Sequence, residues 1–291
     1  MTTLRQVFAL GCLAVVAACG GAEQVTPPVA TPVVTLSHSR APAGSPLEIT
    51  YRFDVAADAV FSDDYRVFVH VLDADDERMW DDDHDPPAPT RTWKPGQSVE
   101  YTRTLFVPVF PYVGRATIRI GLYSPRTEER LALAGQEAGQ RAYTVAQLDL
   151  LPQTDNLFTV FKEGWHPAEV AGQNGDIEWQ WTKKEASLAF KNPKKDAVLY
   201  LDLDSPTKAL HGDQQVQVVM GGTVLESFVL APDERVLRKI KVPSAAMGTS
   251  ELAELQIGVD KSFVPVVVSG GSSKDPRELG VRVFHAFVDP R

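Results

Sequence analysis

The sequence has 291 residues, a formal net charge of -9 at pH 7, and 21 prolines and 20 glycines spread along its length. An acidic balance without a run of Lys or Arg argues against nucleic acid as a partner and against electrostatic binding to anionic lipid. After residue 18, no window of the sequence holds a convincing 3.6-residue apolar period, which favours an all-β fold.

The first 18 residues have the features of a secretory signal peptide. Arg5 supplies a positive charge, residues 7–18 are apolar, and small residues precede Cys19. The apolar stretch is shorter than the roughly 20 residues that a membrane-spanning helix needs. We therefore expect residues 1–18 to be removed as a signal peptide.

The tetrapeptide Val16-Ala17-Ala18-Cys19 ends this signal and resembles the lipobox of bacterial lipoproteins, which reads aliphatic, small, small, Cys. The resemblance implies that Cys19 becomes the N-terminus and carries a thioether-linked diacylglyceryl group and a further acyl chain such as palmitate. By analogy with sorting in Gram-negative bacteria, Gly20 in place of Asp favours the outer membrane of the cell envelope. The alternative is a plain secreted protein with one free thiol.

Both cysteines of the sequence are accounted for before the folded part begins. Cys12 leaves with the signal peptide and Cys19 takes the lipid, so no disulfide forms within the mature chain. The folded part must therefore be held together by its hydrophobic cores. Residues 19–32 are small, polar and proline-bearing, and we expect the lipidated cysteine and the residues after it to form a flexible tether.

Residues 33–149 have the pattern of a first β-sandwich, with short runs of β-branched and aromatic residues between Gly, Pro and Asp. Residues 47–53 alternate between apolar and polar side chains, which predicts a half-buried strand. Residues 65–72 are apolar at most positions, as in an inner strand. About seven strands at this spacing are typical of an immunoglobulin-like sandwich. Further strands are predicted at residues 98–107, 115–123 and 140–145, with a shorter run at 130–134.

Residues 150–156 carry a proline and polar residues between two strand-rich blocks, and we place the linker between two domains there. Residues 157–291 then predict a second β-sandwich. Gly221-Gly222 is a two-residue hairpin signal between two of its strands. Residues 250–257 fit either a short helix or part of a strand. The predicted strands are 176–182, 197–203, 214–220, 223–230, 234–242, 252–259 and 280–288.

Residues 73–85 form the most acidic stretch of the first domain. Calcium prefers several oxygen ligands, so an irregular calcium site built by Asp81, Asp83 and Asp85 is one interpretation. The known calcium-loop template does not fit, because its required glycine and its final carboxylate are missing. The competing interpretation is a hairpin turn at residues 74–77 followed by a solvated loop.

Two tryptophans, Trp80 and Trp93, flank this acidic loop. An exposed indole ring stacks on the apolar face of a sugar, and neighbouring carboxylates such as Asp83 and Asp85 accept hydrogen bonds from the sugar hydroxyl groups. These four residues are therefore candidates for glycan binding. Packing of both rings in the hydrophobic core is the alternative.

The second domain contains three short motifs: G-W-x-x-x-E at residues 164–169, W-x-W-T at 179–182 and D-x-R-E-L-G at 275–280. They resemble motifs of β-sandwich modules attached to bacterial cell-envelope glycosyltransferases. The resemblance implies a jelly-roll-like fold and a saccharide context for the second domain, with Trp165, Asp275 and Arg277 as candidate ligand-binding residues. An ion pair of Asp275 and Arg277 that fixes the final loop is the alternative. We expect Trp179 and Trp181 to lie in the core.

The sequence contains no motif of a serine nucleophile elbow, zinc-binding helix, cysteine nucleophile or nucleotide-binding loop, and its six histidines are scattered. We therefore expect a lipid-anchored protein of the bacterial cell envelope that binds glycans or partner proteins, needs no cofactor and catalyses no reaction. One alternative is a glycoside-active enzyme with a pair of carboxylates across a cleft. Another is a structural or assembly lipoprotein without a small-molecule ligand.

Overall fold

The structure is a computed structural model that describes residues 26–172, 177–205, 207–210, 212–231 and 233–291. The predicted signal peptide and the lipobox with Cys19 lie outside the described residues. Across the part of the chain that is described, no helix has both the length and the apolar character needed to span a membrane.

Residues 26–151 form nine strands: β1 (Ala30–Leu36), β2 (Arg40–Pro42), β3 (Pro46–Val55), β4 (Arg66–Leu72), β5 (Arg78–Asp81), β6 (Ser98–Phe106), β7 (Gly114–Tyr123), β8 (Gln136–Glu137) and β9 (Tyr143–Leu151). The smaller sheet has the order β1-β3-β6. The larger sheet has the order β2-β9-β7-β4-β5, and β8 also pairs with β9. The short pairing of β2 with β9 is parallel, and the other pairings are antiparallel.

The two sheets of this first half enclose one hydrophobic core. β3 alternates as predicted: its apolar residues from Leu47 to Phe53 are buried, and the polar residues between them are partly exposed. β4 lies between β7 and β5 in the larger sheet and is buried at most positions, as an inner strand should be. We call this half the first sandwich.

The last strand of the first sandwich begins later than predicted. Gln140 and Arg141 have φ angles of 51° and 54°, so the backbone turns there, and β9 starts only after them. β9 then continues into the first residues of the predicted linker. The run at residues 130–134, which the structure describes in full, is joined to the sheet by a bridge between Arg130 and Tyr123 rather than by a strand.

The described residues of the second half form ten strands: β10 (Thr159–Phe161), β11 (Glu169–Ala171), β12 (Ile177–Trp181), β13 (Glu185–Lys191), β14 (Ala197–Asp204), β15 (Gln214–Met220), β16 (Thr223–Leu230), β17 (Arg235–Val242), β18 (Leu252–Val259) and β19 (Arg282–Pro290). One sheet has the order β10-β13-β18-β15-β16 and the other has the order β11-β12-β19-β14-β17. The helices described in this half are short: α1 (Thr207–Leu210), α2 (Ser244–Met247) and α3 (Pro265–Val268).

Local sequence explains several of these elements. Gly221 and Gly222 have φ angles of 56° and 78°, the left-handed values that a two-residue hairpin turn needs, and they join β15 to β16 as predicted. The ambiguous stretch 250–257 lies mostly in β18, in the middle of its sheet, so it is a strand rather than a helix. β13 was not predicted from the sequence.

The two sheets of the second half enclose a second core, and we call this half the second sandwich. Its centre is β14, whose residues Leu199, Leu201 and Leu203 have no solvent exposure. Strands account for most of the regular structure in both halves, and both halves pair two sheets around a separate core. The predicted all-β fold of two tandem sandwiches is confirmed.

Side chains of the two sandwiches meet beside β14. The ring of Phe106 stacks on that of His285, with centroids 3.8 Å apart and planes inclined by 4°. Glu48 accepts a hydrogen bond from Lys239 Nζ at 2.8 Å and another from the Tyr200 hydroxyl at 3.1 Å. The bond from Lys239 lowers the pKa of Glu48, and burial raises the pKa of Tyr200 to about 12. The first sandwich therefore covers one end of the sheet that contains β14.

Candidate ligand-binding face

The sheet that contains β14 has one face in the core of the second sandwich and one face outside it. Leucines alternate with other residues along β14, so the leucines enter the core and Tyr200, Asp202 and Asp204 lie on the opposite face. We call that opposite face the outer face. Asp202 and Asp204 are only 7% and 4% exposed, so other side chains must cover them.

Cross-strand pairing places basic residues on the outer face. Asp204 lies opposite Arg235 on β17 and opposite Arg282 on β19. The register between β14 and β19 shifts by one residue, which leaves Phe284 as the extra residue of a β-bulge next to His285. The outer face therefore carries acidic, basic and aromatic side chains side by side.

Arginines hold both of these carboxylates. Arg235 donates two hydrogen bonds to Asp202, at 2.8 and 2.6 Å, and His285 Nδ1 lies 3.1 Å from Asp202 Oδ2. Arg282 Nε donates to Asp204 at 2.7 Å, and its Nη2 donates to the other oxygen. Burial alone would raise the pKa of Asp202, but the bonds from Arg235 and His285 outweigh burial and lower it. Asp202 is therefore an ionised acceptor with bonds to both oxygens.

Aromatic rings surround these ion pairs. The guanidinium carbon of Arg235 lies 3.7 Å from the centroid of the Phe284 ring. That of Arg282 lies 5.7 Å from the centroids of both Trp179 and Trp181, and also 5.7 Å from that of Phe284. A planar guanidinium that stacks on a ring while binding a carboxylate has little freedom to move. The outer face is therefore a rigid surface of rings and planar cations.

Part of the outer face opens into a cavity of about 470 Å³, which we call the interdomain groove. The first sandwich contributes Phe106 and Val109 to its lining, and the second contributes Trp179, Phe284 and Arg235. Val109 is 67% exposed, so solvent reaches apolar surface at the groove. Gln153 and His285, which have hydrogen-bonding side chains, also line the groove. Glu178 and Gln180 of β12 line it as well, but strand alternation directs their side chains away from the face that carries Trp179.

A second cavity of about 480 Å³, which we call the Arg277 pocket, opens at the outer face where Trp181 and Phe263 line it. Arg277 donates to Asp275 from Nε at 3.0 Å and from Nη2 at 2.6 Å, and its Nη1 lies 2.7 Å from Glu169 Oε1. The bonds from Arg277 lower the pKa of Asp275 to about 2. The pocket therefore combines an aromatic wall with a guanidinium held between two carboxylates.

The structure separates the three candidate residues of the second domain. Asp275 and Arg277 meet in the Arg277 pocket and form the ion pair of the alternative interpretation. Trp165 lies elsewhere, packed against the second core, with its Nε1 donating to the carbonyl of Ser187 at 2.8 Å. The Trp165 ring also contacts Phe161 edge-on, with centroids 4.7 Å apart. Trp165 therefore packs against the core and does not contribute to the outer face.

The two tryptophans of the first domain pack against the first core. Trp93 is 5% exposed and contacts Phe53 and Phe61, and its Nε1 donates to the carbonyl of Ala88 at 3.0 Å. The core-packing alternative therefore describes Trp93, whose ring has no open face for a sugar. Trp80 is half-buried against the same core and retains some accessible surface.

The acidic loop begins as the hairpin between β4 and β5, in agreement with the second interpretation of that stretch. Its three candidate calcium ligands have separate partners. Asp81 pairs with an arginine of β5, Asp83 accepts a hydrogen bond from a backbone amide of β4, and Asp85 pairs with Arg66 at 3.0 Å. Among the residues that the structure describes, no three His, Cys, Asp or Glu side chains are grouped to hold a metal ion.

Sequence reasoning missed most of the interdomain groove. It predicted both Trp179 and Trp181 in the core, but only Trp181 is buried, and Trp179 is half-buried at the groove. It assigned no role to Arg235. The alternation of leucine with aspartate along β14 could have indicated that a basic residue lies nearby, because a carboxylate buried on a sheet face needs a cationic partner. The partner itself lies in a distant strand, which the alternation does not identify.

No family model matches the chain, and no curated protein matches it. Among solved structures, a catalytic domain with the CBM51-1 and CBM51-2 domains of ZmpB from Clostridium perfringens is 10% identical, with a TM-score of 0.25, over 85% of this chain and 34% of that one. The CBM51-2 domain in complex with GlcNAc and INT domains of the same protein is 10% identical, with a TM-score of 0.23, over 61% of this chain and 38% of that one.

The tandem CBM22-1-CBM22-2 domain of Xyn10C from Paenibacillus barcinonensis is 11% identical, with a TM-score of 0.26, over 89% of this chain and 91% of that one. The chain spans only 34% and 38% of the length of the two Clostridium structures. With TM-scores of 0.23 to 0.26, none of these likenesses carries an argument about function.

Proposed function

We propose that this protein binds glycans in the interdomain groove and catalyses no reaction. The observation that carries the proposal is that aromatic rings and hydrogen-bonding side chains share one open cavity. The rings of Trp179 and Phe284 offer apolar surface on which the C–H face of a sugar stacks. Gln153 and Arg235 offer donors and acceptors for its hydroxyl groups.

The size and rigidity of the groove support this proposal. Its volume of about 470 Å³ lies within the range of roughly 300–1,000 Å³ that is usual for small-molecule sites. Arg235 is bound to Asp202 and stacked on Phe284, so it loses little freedom when a ligand arrives. Side chains that are already ordered reduce the entropic cost of binding.

The carboxylates of the outer face support binding over glycoside hydrolysis. A glycosidase needs two carboxyl groups across the scissile bond, and one of them must carry a proton. Asp202 has a lowered pKa and bonds to both oxygens, so it stays ionised. Asp204 is held in the same way by Arg282. Asp202 therefore does not suit the role of the general acid, and both carboxylates are already bound by arginines, so we assign the face to binding.

A lipid on Cys19 would hold this binding protein at the bacterial cell envelope. This part of the proposal rests on the lipobox sequence, and Gly20 favours the outer membrane. Two or more acyl chains give lasting attachment, whereas a single chain is marginal. The groove would then meet glycans of the envelope or of its surroundings, at the end of the tether formed by residues 19–32.

The test of glycan binding uses residues 24–291, which contain both sandwiches. A glycan array identifies a ligand, and isothermal titration calorimetry measures its Kd. Trp179→Ala removes a ring that lines the groove and should weaken binding about 10-fold or more. Trp80→Ala is the matched control, because it removes a half-buried ring from the first sandwich and should leave the Kd unchanged.

The reverse pattern, with binding lost only in Trp80→Ala, would move the site to the acidic loop of the first sandwich. A silent array would contradict glycan binding and favour a partner protein. The anchor is tested separately on the full chain in its bacterial host: Cys19→Ser should move the protein from the detergent phase to the aqueous phase. Continued partitioning into detergent would contradict the lipid anchor.

A further inference from the structure

The interdomain groove and the Arg277 pocket open on the same face of one sheet. Trp179 lines the groove, and Trp181, two residues further along β12, lines the pocket. Trp181 lies on the outer face because it is opposite Arg282, and Trp179 shares that face because it is two residues away on the same strand. The two backbone positions are about 7 Å apart along the strand. The cavities are therefore neighbours along β12.

The boundary between the two cavities is a contact of side chains. Arg282 lines the pocket, and its guanidinium carbon lies 5.7 Å from the centroid of Trp179, which lines the groove. Asp204 fixes Arg282 through two hydrogen bonds. Rings and a fixed planar cation thus continue from one cavity into the other.

Each arginine of this surface already has a carboxylate partner. Arg235 is paired with Asp202, and Arg282 is paired with Asp204. Arg277 is paired with both Asp275 and Glu169. A negatively charged sugar would have to displace one of these internal carboxylates. The surface favours an uncharged ligand.

From these observations we infer that the groove and the pocket form one continuous track for an extended, uncharged glycan chain. The inference rests on the proposed function and deepens it by naming the class of glycan. Sugars at one end of the chain stack on Trp179 and Phe284. Sugars at the other end reach the ring of Phe263 and the Arg277 guanidinium. A chain long enough to occupy both cavities therefore binds more tightly than a disaccharide.

The test measures how affinity depends on chain length and charge. Calorimetry on residues 24–291 uses linear β-1,4-linked oligomers of glucose, xylose, mannose and N-acetylglucosamine, from disaccharide to hexasaccharide. Oligogalacturonates of the same lengths serve as acidic comparators. We expect the hexasaccharide of at least one neutral series to bind about 10-fold or more tightly than its disaccharide. The acidic series should bind more weakly at every length.

Variants of the pocket then locate the gain in affinity. Phe263→Ala and Arg277→Gln should each remove the advantage of the hexasaccharide and leave the disaccharide affinity unchanged. Arg66→Gln is the matched control, since it breaks a surface ion pair in the first sandwich. Two independent pocket variants guard against a change that only disturbs folding, and circular dichroism checks that each variant keeps its strands.

Equal affinity for all chain lengths, or equal losses for short and long chains in the pocket variants, would overturn the inference and leave the proposed function standing. Tighter binding of oligogalacturonates would also overturn it. If no neutral or acidic series binds and the glycan array is silent as well, the proposed function fails and the inference fails with it.

Discussion

Two polar clusters of similar composition occur in this protein, one in each sandwich, and they differ in what covers them. In the first sandwich, Arg103 donates to Asp82 at 3.2 and 2.8 Å, and His84 Nε2 lies 2.8 Å from the Tyr101 hydroxyl. The Tyr51 ring contacts His84, with centroids 4.9 Å apart. Tyr51 has no exposure and His84 is 4% exposed. This cluster joins the smaller sheet to residues beside β4 and is enclosed between them.

The second cluster contains the same kinds of groups on an open face. Asp202 binds Arg235 and His285, and Phe284 lies against Arg235, but all of them belong to one sheet. Arg235, Phe284 and His285 line a groove instead of a second sheet. The comparison teaches that residue types do not separate a structural cluster from a binding site. The separating feature is whether the free side of the cluster meets protein or solvent.

The protonation states of the enclosed cluster agree with its structural role. Burial lowers the pKa of His84 and raises the pKa values of Tyr51 and Tyr101, so the enclosed cluster is held in its uncharged forms apart from the Asp82 pair. A neutral, enclosed cluster stabilises the fold and has no access to a ligand. Mutations in the two clusters should therefore have different readouts.

The largest expected effect is on the stability of the first sandwich in Asp82→Ala. The substitution leaves Arg103 without its carboxylate, and removing one partner of a buried ion pair costs about 3–5 kcal/mol. We expect about 3 kcal/mol, because the Arg103 side chain is 37% exposed and water solvates part of its charge. Urea denaturation followed by tryptophan fluorescence measures the change.

The matched control for this variant is Asp54→Ala, which removes an exposed partner of Arg52 in the same sandwich. It should change the free energy of unfolding by less than about 1 kcal/mol. Glycan affinity should be unchanged in both variants at temperatures where they are folded. Equal stability of Asp82→Ala and Asp54→Ala would show that the enclosed cluster does not hold the sheets together.

Asp202→Asn should change both stability and binding, in contrast to Asp82→Ala. The amide keeps the shape of the side chain but loses the charge that holds Arg235, at a cost of about 2 kcal/mol for charged hydrogen bonds. Release of Arg235 also loosens the groove, so we expect glycan affinity to fall about 10-fold. Denaturation and calorimetry on the same sample measure both effects. Loss of stability with unchanged affinity would show that the second cluster, like the first, stabilises the fold and does not bind the ligand.

The sequence predicts strands well where alternation is local. Residues 47–53 alternate cleanly, and the Gly221-Gly222 turn demands left-handed φ angles that glycine adopts freely. β13 escaped prediction because Glu185–Lys191 includes two alanines, a serine and charged ends, which have low intrinsic preference for strands. Its pairing with β10 and β18 on either side makes it a strand. Such tertiary pairing is not visible in the segment itself.

The groove was harder to predict than the fold, because its residues come from distant strands. Trp80 and Trp93 both flank the acidic loop in the sequence, yet only Trp93 is enclosed by aromatic neighbours. Asp275 and Arg277 are two residues apart, so their ion pair could be proposed from sequence. Arg235 reaches Asp202 only through the register of β14 with β17, which no local pattern specifies.

The enclosed cluster should also make stability depend on pH. Because burial lowers the pKa of His84 below its ordinary value of about 6.5, the unfolded chain binds a proton at a higher pH than the folded chain does. This contribution to stability is fully present above about pH 7 and is lost as the pH falls through 6.5 toward the folded pKa. The slope is at most about 1.4 kcal/mol per pH unit. The His84→Gln variant should lack this pH-dependent component. Its free energy of unfolding is measured by denaturation between pH 5 and 8, roughly the range over which histidine titrates.

The smallest effect is expected in the acidic loop of the first sandwich, where Asp85 forms a largely exposed ion pair with Arg66. Its side chain is 78% exposed, so Asp85→Ala should change the free energy of unfolding by less than about 0.5 kcal/mol. Glycan affinity should stay unchanged, because Asp85 lies in the first sandwich and does not line the groove.

Calcium at about 1 mM would fill an extracellular-type site and raise the melting temperature by mass action. We expect no such rise, because Asp81, Asp83 and Asp85 are each bound to a different partner. If calcium does raise the melting temperature and Asp85→Ala abolishes the rise, the acidic loop is a calcium site. The contrast between a purely structural first sandwich and a ligand-binding second sandwich would then be wrong.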